Sequence, residues 1–233
     1  MKAKICLPII KTTIKDVEEM IEANRENYDM FEVWIDHLNE SFPEILKLIR
    51  ELSQKLGNRF LVVFRRRNGE SIHIPLENRL RIITQLATTN TFFDIDIEKQ
   101  KNDLEEISRL RLRPNMILSF HDFEKTPRTS TLVKIVDNMH MYHPSIYKIA
   151  TYCQTEKQAI ALLHLLLDMK EQGKRCVIIG MGQKGIITRI FGTLWGNEIA
   201  FVPENTAGLS APGQLNRKQM EDIFAIVEED YAR

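Results

Sequence analysis

Eight short, β-prone apolar runs recur along the 233-residue chain, each followed by a stretch with helical periodicity. The runs are Lys4–Ile10, Met30–Ile35, Phe60–Phe64, Thr91–Ile97, Met116–Phe120, Ser145–Ile149, Cys176–Ile179 and Glu198–Val202, and their starts lie about 22 to 31 residues apart. That interval is the length of one strand plus one helix. Most of the runs are nearly continuous in apolar residues, as suits parallel strands covered on the outside by helices. Between them, apolar residues return every three or four positions. Val17, Met20 and Ile21 share one face of Asp16–Asn27, and Ile45, Leu46, Ile49 and Leu52 share one face of Phe42–Leu56. The same period predicts helices over Leu76–Leu86, Asn102–Leu112, Ser130–Met141, Thr155–Gln172 and Asn216–Tyr231, and one more after Gly185. Pro43 stands in a first turn, where a missing N–H costs nothing, and Gly173 ends the longest helix. No linker or low-complexity tract breaks the beat. Residues 1–233 therefore read as one domain of the α/β class, a single (β/α)8 TIM barrel with its catalytic face at the C-terminal strand ends. A doubly wound open sheet is the alternative; it more often carries a GxGxxG turn after its first strand, and none is present. Thr193–Gly196 and Glu204–Gln214 are less regular, and the second reads as a loop on the active face.

Charge and cysteine usage exclude several classes. Lys plus Arg and Asp plus Glu are both 32, so the formal charge is zero. A general nucleic-acid binder needs a basic surface to displace counterions, so this balance argues against one, although a local basic pocket for a small anion remains open. Cys6, Cys153 and Cys176 have no CxxC spacing and lie in or beside apolar stretches; they read as buried thiols of a reducing compartment, with no disulfide and no metal site. There is no apolar run of about 18 residues to span a membrane. The opening Ile5–Ile10 run is short for a signal peptide and no small-residue cleavage site follows, so it reads as the first strand of a cytoplasmic protein.

Several polar residues sit where a barrel carries its chemistry. Glu32, Trp34 and Asp36 share one face of the second run by period two, as do Asp94 and Asp96 in the fourth. Arg65 stands at the end of the third run and points inward, while Arg66 and Arg67 have the composition of a solvated turn. His121 ends the fifth run. Lys148 lies inside the sixth. Burying an ammonium is costly and favours its neutral, nucleophilic form, which attacks carbonyl substrates to give a Schiff base. Equally open is a lysine that snorkels outward or pairs with a carboxylate of the second or fourth strand. His121 is either a satisfied structural imidazole or a base facing the same ligand from the neighbouring strand. Gly180–Arg189 follows the seventh run, with glycines that allow close backbone approach and Arg189 a turn into the next helix. Ser210–Gln214 has the composition of a turn.

Taken in order, these pieces resemble the type I 3-dehydroquinate dehydratase family. The resemblance runs nearly end to end. It is carried by Ser119-Phe120-His121-Asp122-Phe123 with Thr126-Pro127, Lys148-Ile149-Ala150, Gly185-Ile186-Ile187-Thr188-Arg189 and Ser210-Ala211-Pro212-Gly213-Gln214. It implies a shikimate-pathway hydro-lyase that turns 3-dehydroquinate into 3-dehydroshikimate without a cofactor. Lys148 would form the imine and His121 would act as general base and then general acid. Arg189 would clamp the substrate carboxylate, Glu32, Arg65, Ser210 and Gln214 would bind substrate, and Asp94 or Asp96 would orient and tune their neighbours. A homodimer is the assembly the resemblance implies.

The chain also departs from the family pattern. Trp34 stands where Glu-x-Arg usually has its arginine, so a polar contact is lost or supplied by Arg66 or Arg67. The usual Glu-Gly-Gly run is replaced by Arg66-Arg67-Asn68-Gly69-Glu70, which leaves the acidic partner of the histidine absent or displaced to Glu70. Thr188 stands where serine is commoner and keeps the hydroxyl. A class I imine-forming aldolase and a non-catalytic ligand-binding homologue are the competing readings.

Overall fold

The apolar runs form eight strands in a computed structural model that describes residues 3–65 and 71–231. They are β1 (Lys4–Ile9), β2 (Met30–Trp34), β3 (Phe60–Val63), β4 (Phe92–Asp96), β5 (Asn115–Asp122), β6 (Ile146–Tyr152), β7 (Cys176–Met181) and β8 (Ile199–Phe201). Their order is β7-β6-β5-β4-β3-β2-β1-β8, and each ladder is parallel. Among the described residues no ladder joins β7 to β8, but Glu198 N donates to Cys176 O across that seam at 2.9 Å. The result is a nearly closed (β/α)8 TIM barrel. The intervening helices are α1 (Ile14–Ala23), α2 (Phe42–Leu56), α3 (Leu76–Leu86), α4 (Lys101–Arg109), α5 (Thr129–His140), α6 (Glu156–Glu171), α7 (Ile186–Trp195) and α8 (Arg217–Tyr231). Capping boxes start two of them: Ser41 with Glu44 at α2, and Thr155 with Gln158 at α6. Among the described residues no helix is long and apolar enough to cross a membrane.

Period-two alternation divides the core into two layers. Phe31, Val33, Phe93, Ile95, Leu118 and Phe120 pack outward against the helices. Met30, Trp34, Phe92, Ile117, Ile146 and Ala150 pack inside the barrel. The strand phase then sends Glu32, Asp94, Asp96, Ser119, His121 and Lys148 to the same interior, above the apolar plug. A slip of one residue would bury these polar side chains against the helices, so the strand phase keeps them inside.

Two expectations change. Thr193–Trp195 is the last turn of α7, not an irregular stretch; Thr193 Oγ1 donates to Arg189 O at 2.5 Å, and Gly196, at φ +117°, ends the helix in the left-handed region. The first helix is shorter than its periodicity suggests, because the buried Asn24 donates its side-chain amide to Met20 O and closes the turn.

In the first turns of two neighbouring helices, Arg79 of α3 grips Asp103 of α4 with two hydrogen bonds of 2.7 and 2.6 Å and donates a third, of 2.6 Å, to Ile74 O. Asp103 is fully buried. Replacing Arg79 by Met leaves that carboxylate without its cation, and we expect a loss of about 3–5 kcal/mol. Urea denaturation would show it as a lower midpoint at unchanged slope.

Candidate active site

Inward-pointing side chains of β2, β4, β5 and β6 meet at the C-terminal mouth around one carboxylate. Asp94 Oδ2 accepts from Lys148 Nζ at 2.7 Å and from Arg65 Nη2 at 3.0 Å. Its Oδ1 accepts from Ser119 Oγ at 2.6 Å and from Arg65 Nη1 at 3.2 Å. Burial alone would raise the Asp94 pKa, but the charges of Arg65 and Lys148 outweigh it and hold the group well below the usual carboxylate range. Lys148 is only 5% exposed. Glu32 Oε1 lies 3.6 Å from its Nζ, and the Phe201 ring centroid lies 4.0 Å away. The pairing arrangement left open by the sequence is thus the one the lysine adopts, with carboxylates of both β2 and β4.

Trp34 occupies the position of the missing arginine in two ways. Its Nε1 donates to Glu32 Oε2 at 3.0 Å, and its ring lies beneath the Arg65 guanidinium at 5.4 Å. It therefore holds Glu32 and Arg65 without adding a charge. Arg66, Arg67 and Glu70, which the sequence offered as substitutes, lie outside the described residues. Within the described residues the acidic partner of His121 is Asp96, whose Oδ2 is 2.9 Å from Nδ1. The departure from Glu-Gly-Gly therefore does not leave the imidazole without a carboxylate. Burial and the nearby Arg65 push the His121 pKa down to about 4, against the opposing pull of Asp96. His121 is neutral at pH 7.

The last two loops close the other side. Arg189, in the first turn of α7, is 7% exposed. Its Nη2 donates to Pro212 O at 3.4 Å, its Nε has no partner, and among the described residues no carboxylate pairs with it. Burial lowers its pKa to about 10. Gln214 staples its own loop: Oε1 accepts from Ser210 N at 2.6 Å and from Ala211 N at 3.1 Å, and Nε2 donates to Ser210 Oγ at 2.9 Å. Gly213, at φ +75°, lets this loop press against the one after β7, since a Cβ there would meet Gly182 O at 2.5 Å.

The result is one pocket at the barrel mouth, open to solvent. Lys148, His121, Glu32, Arg65, Arg189, Ser210 and Gln214 all line it, and Asp94 and Asp96 stand behind them. The sequence reading missed Ser119, whose period-two phase with His121 was the available signal. It also missed the apolar wall of Phe123, Met181 and Phe201, which only the closed barrel assembles.

The model of the type I 3-dehydroquinase family matches residues 5–231. The chain belongs to the type I 3-dehydroquinase family. Membership assigns the enzyme class, a hydro-lyase. Curated relatives span the chain: a 3-dehydroquinate dehydratase of Coxiella burnetii (strain CbuK_Q154) is 27% identical, covering 95% of this chain and 92% of its own length. One from Methanococcus maripaludis (strain DSM 14266) is 29% identical, with 96% and 99% covered. The solved 3-dehydroquinate dehydratase of Geobacillus kaustophilus shares the fold, at TM-score 0.83 and 22% identity over 100% of this chain and 93% of that one.

Because folded His121 prefers the neutral form, the unfolded chain takes up its proton first. The stabilisation this supplies is complete above pH 6.5 and is lost as pH falls towards 4. NMR titration of the imidazole should give a midpoint near 4; a midpoint near 6.5 would contradict the environment described.

Proposed function

We propose that the chain dehydrates 3-dehydroquinate through a Schiff base on Lys148, with His121 as general base and general acid. The observation that carries this reading is a buried lysine and a neutral histidine on adjacent strands, sharing one cavity with a guanidinium that pairs with no carboxylate among the described residues. In the β5–β6 register Ser119 is opposite Lys148 and His121 is opposite Ala150, one step nearer the mouth.

The amine of Lys148 attacks the ketone carbon, and the C=O becomes C=N with release of water. The protonated imine draws electrons and acidifies the adjacent C2 hydrogens. His121 takes one of these protons, the electron pair moves into a C1–C2 double bond, and the C1 hydroxyl leaves as water after receiving a proton from His121. Hydrolysis of the imine returns the lysine and releases 3-dehydroshikimate, so the net change is the loss of one water. The substrate carboxylate fits the unpaired Arg189 as a charge-assisted contact. Glu32, Arg65, Ser210 and Gln214 face the hydroxylated ring. Asp94 engages two of the five guanidinium N–H groups of Arg65 and leaves others for this purpose. We also propose a homodimer, supported by exposed large apolar side chains on neighbouring helices: Ile160 and Leu167 of α6, and Phe191, Leu194 and Trp195 of α7.

Borohydride reduction in the presence of 3-dehydroquinate should leave a ligand-sized mass on the Lys148 peptide, and none in Lys148→Ala. His121→Ala should still trap the adduct while kcat falls by about 100- to 10,000-fold. Turnover that survives in Lys148→Ala would sink the imine mechanism. Arg189→Ala should weaken substrate binding by roughly 10- to 100-fold, the worth of a hydrogen bond to a charged group; an unchanged affinity would remove the carboxylate assignment.

A further inference from the structure

We propose that Asp96, at the end of β4, is the positioning residue that sets the tautomer of His121, the role that the sequence pattern would give to an acid after β3. This inference rests on the acid–base reading of His121. Asp96 is 2% exposed and its carboxylate cannot rotate freely. Its Oδ1 accepts from the backbone N–H groups of Glu98 and Lys99, both at 3.0 Å. The side chain of the buried Gln100 accepts from Asp96 N at 3.1 Å, and Gln100 N donates to Asp96 O at 2.9 Å. Only Oδ2 is left, and it faces His121 Nδ1 at 2.9 Å.

The same ring nitrogen has a second neighbour of opposite demand. Arg65 Nη1, a donor, approaches Nδ1 at 3.2 Å. If Arg65 set the tautomer, Nδ1 would offer its lone pair and the proton would sit on Nε2, where it would block proton abstraction. A carboxylate oxygen at Nδ1 requires the reverse: Nδ1 carries the hydrogen and Nε2 holds the lone pair. Among the described residues, the charged groups facing the imidazole are Arg65 after β3, Asp94 and Asp96 on β4, and Lys148 on β6. Of the two carboxylates, Asp94 is occupied by Arg65, Lys148 and Ser119, which leaves Asp96 to the histidine. When Nε2 takes the substrate proton, the Asp96 charge stabilises the imidazolium against Arg65. The proton then goes to the leaving hydroxyl, and Asp96 itself stays ionised throughout.

Asp96→Asn tests this sharply. The N–H groups of Glu98 and Lys99 demand an acceptor, so the amide oxygen takes the Oδ1 place and the NH₂ group faces Nδ1. The substituted side chain then joins Arg65 in favouring the wrong tautomer. We expect kcat to fall on the order of 100-fold or more, with KM within about threefold and borohydride trapping on Lys148 retained. The ¹⁵N shifts of the ring should move to those of an Nε2-protonated imidazole, and the acidic limb of kcat/KM should move to lower pH because the Asp96 charge no longer supports protonation. Asp96→Glu should recover part of the rate. In a double-mutant cycle, Asp96→Asn should add little to His121→Ala.

Wild-type kcat in a folded Asp96→Asn, an unchanged tautomer, or full additivity with His121→Ala would overturn the inference. So would a large loss in Glu70→Gln beside near-normal Asp96→Asn. Normal turnover in His121→Ala would instead sink the acid–base reading itself. Slow turnover in His121→Ala with normal Asp96→Asn would sink the positioning role alone.

Discussion

Asp94 is a buried carboxylate that holds two cations, Lys148 and Arg65, within hydrogen-bond distance inside the barrel mouth. Without it the two positive groups would lose their shared carboxylate and repel each other in a poorly solvated space. With it, the lysine nitrogen, the guanidinium and the serine hydroxyl are ordered from three strands at once. Glu32 completes the enclosure of the lysine from β2, and the neutral N–H donor of Trp34 holds Glu32 in turn. The rest of the site is built outward from this cluster.

Among the described residues, Arg189 is a buried cation of the mouth that pairs with no carboxylate, and this matters for ligand binding. Its Nε is orphaned and no described carboxylate offsets its charge. Its Nη2 donates to the loop carbonyl of Pro212, and its side chain lines the cavity. A ligand that brings a carboxylate supplies the missing interaction. The two loops that frame this position are locked to each other through Gly213 and Gly182 and through the self-stapled Gln214. Loop geometry and ligand charge therefore meet at one place, on the side opposite the Asp94 cluster.

The barrel was legible because alternation and spacing are local. Eight apolar runs at strand-plus-helix intervals leave few ways to bury all of them, and period two already put Glu32 with Trp34 on one face of the second run and Asp94 with Asp96 on one face of the fourth. The end of α7 was less legible. Thr193 and Gly196 look irregular as letters, and a hydroxyl bonding back to Arg189 O keeps the turn helical.

What the sequence by itself determined was the set of chemical groups at the strand ends and which of them share a face within one strand, because period two depends only on residue parity. What the tertiary structure decided was which group pairs with which. Asp94 and Asp96 are equivalent by parity, yet one takes Lys148 and Arg65 and the other takes His121, since β4 lies between β3 and β5 and the two positions stand at different heights in the mouth. Trp34 likewise looks like a lost arginine in the sequence. Its N–H reaches Glu32 two positions earlier on the same strand, and its ring meets Arg65 because β2 and β3 pair side by side, a pairing that the letters of one run do not show.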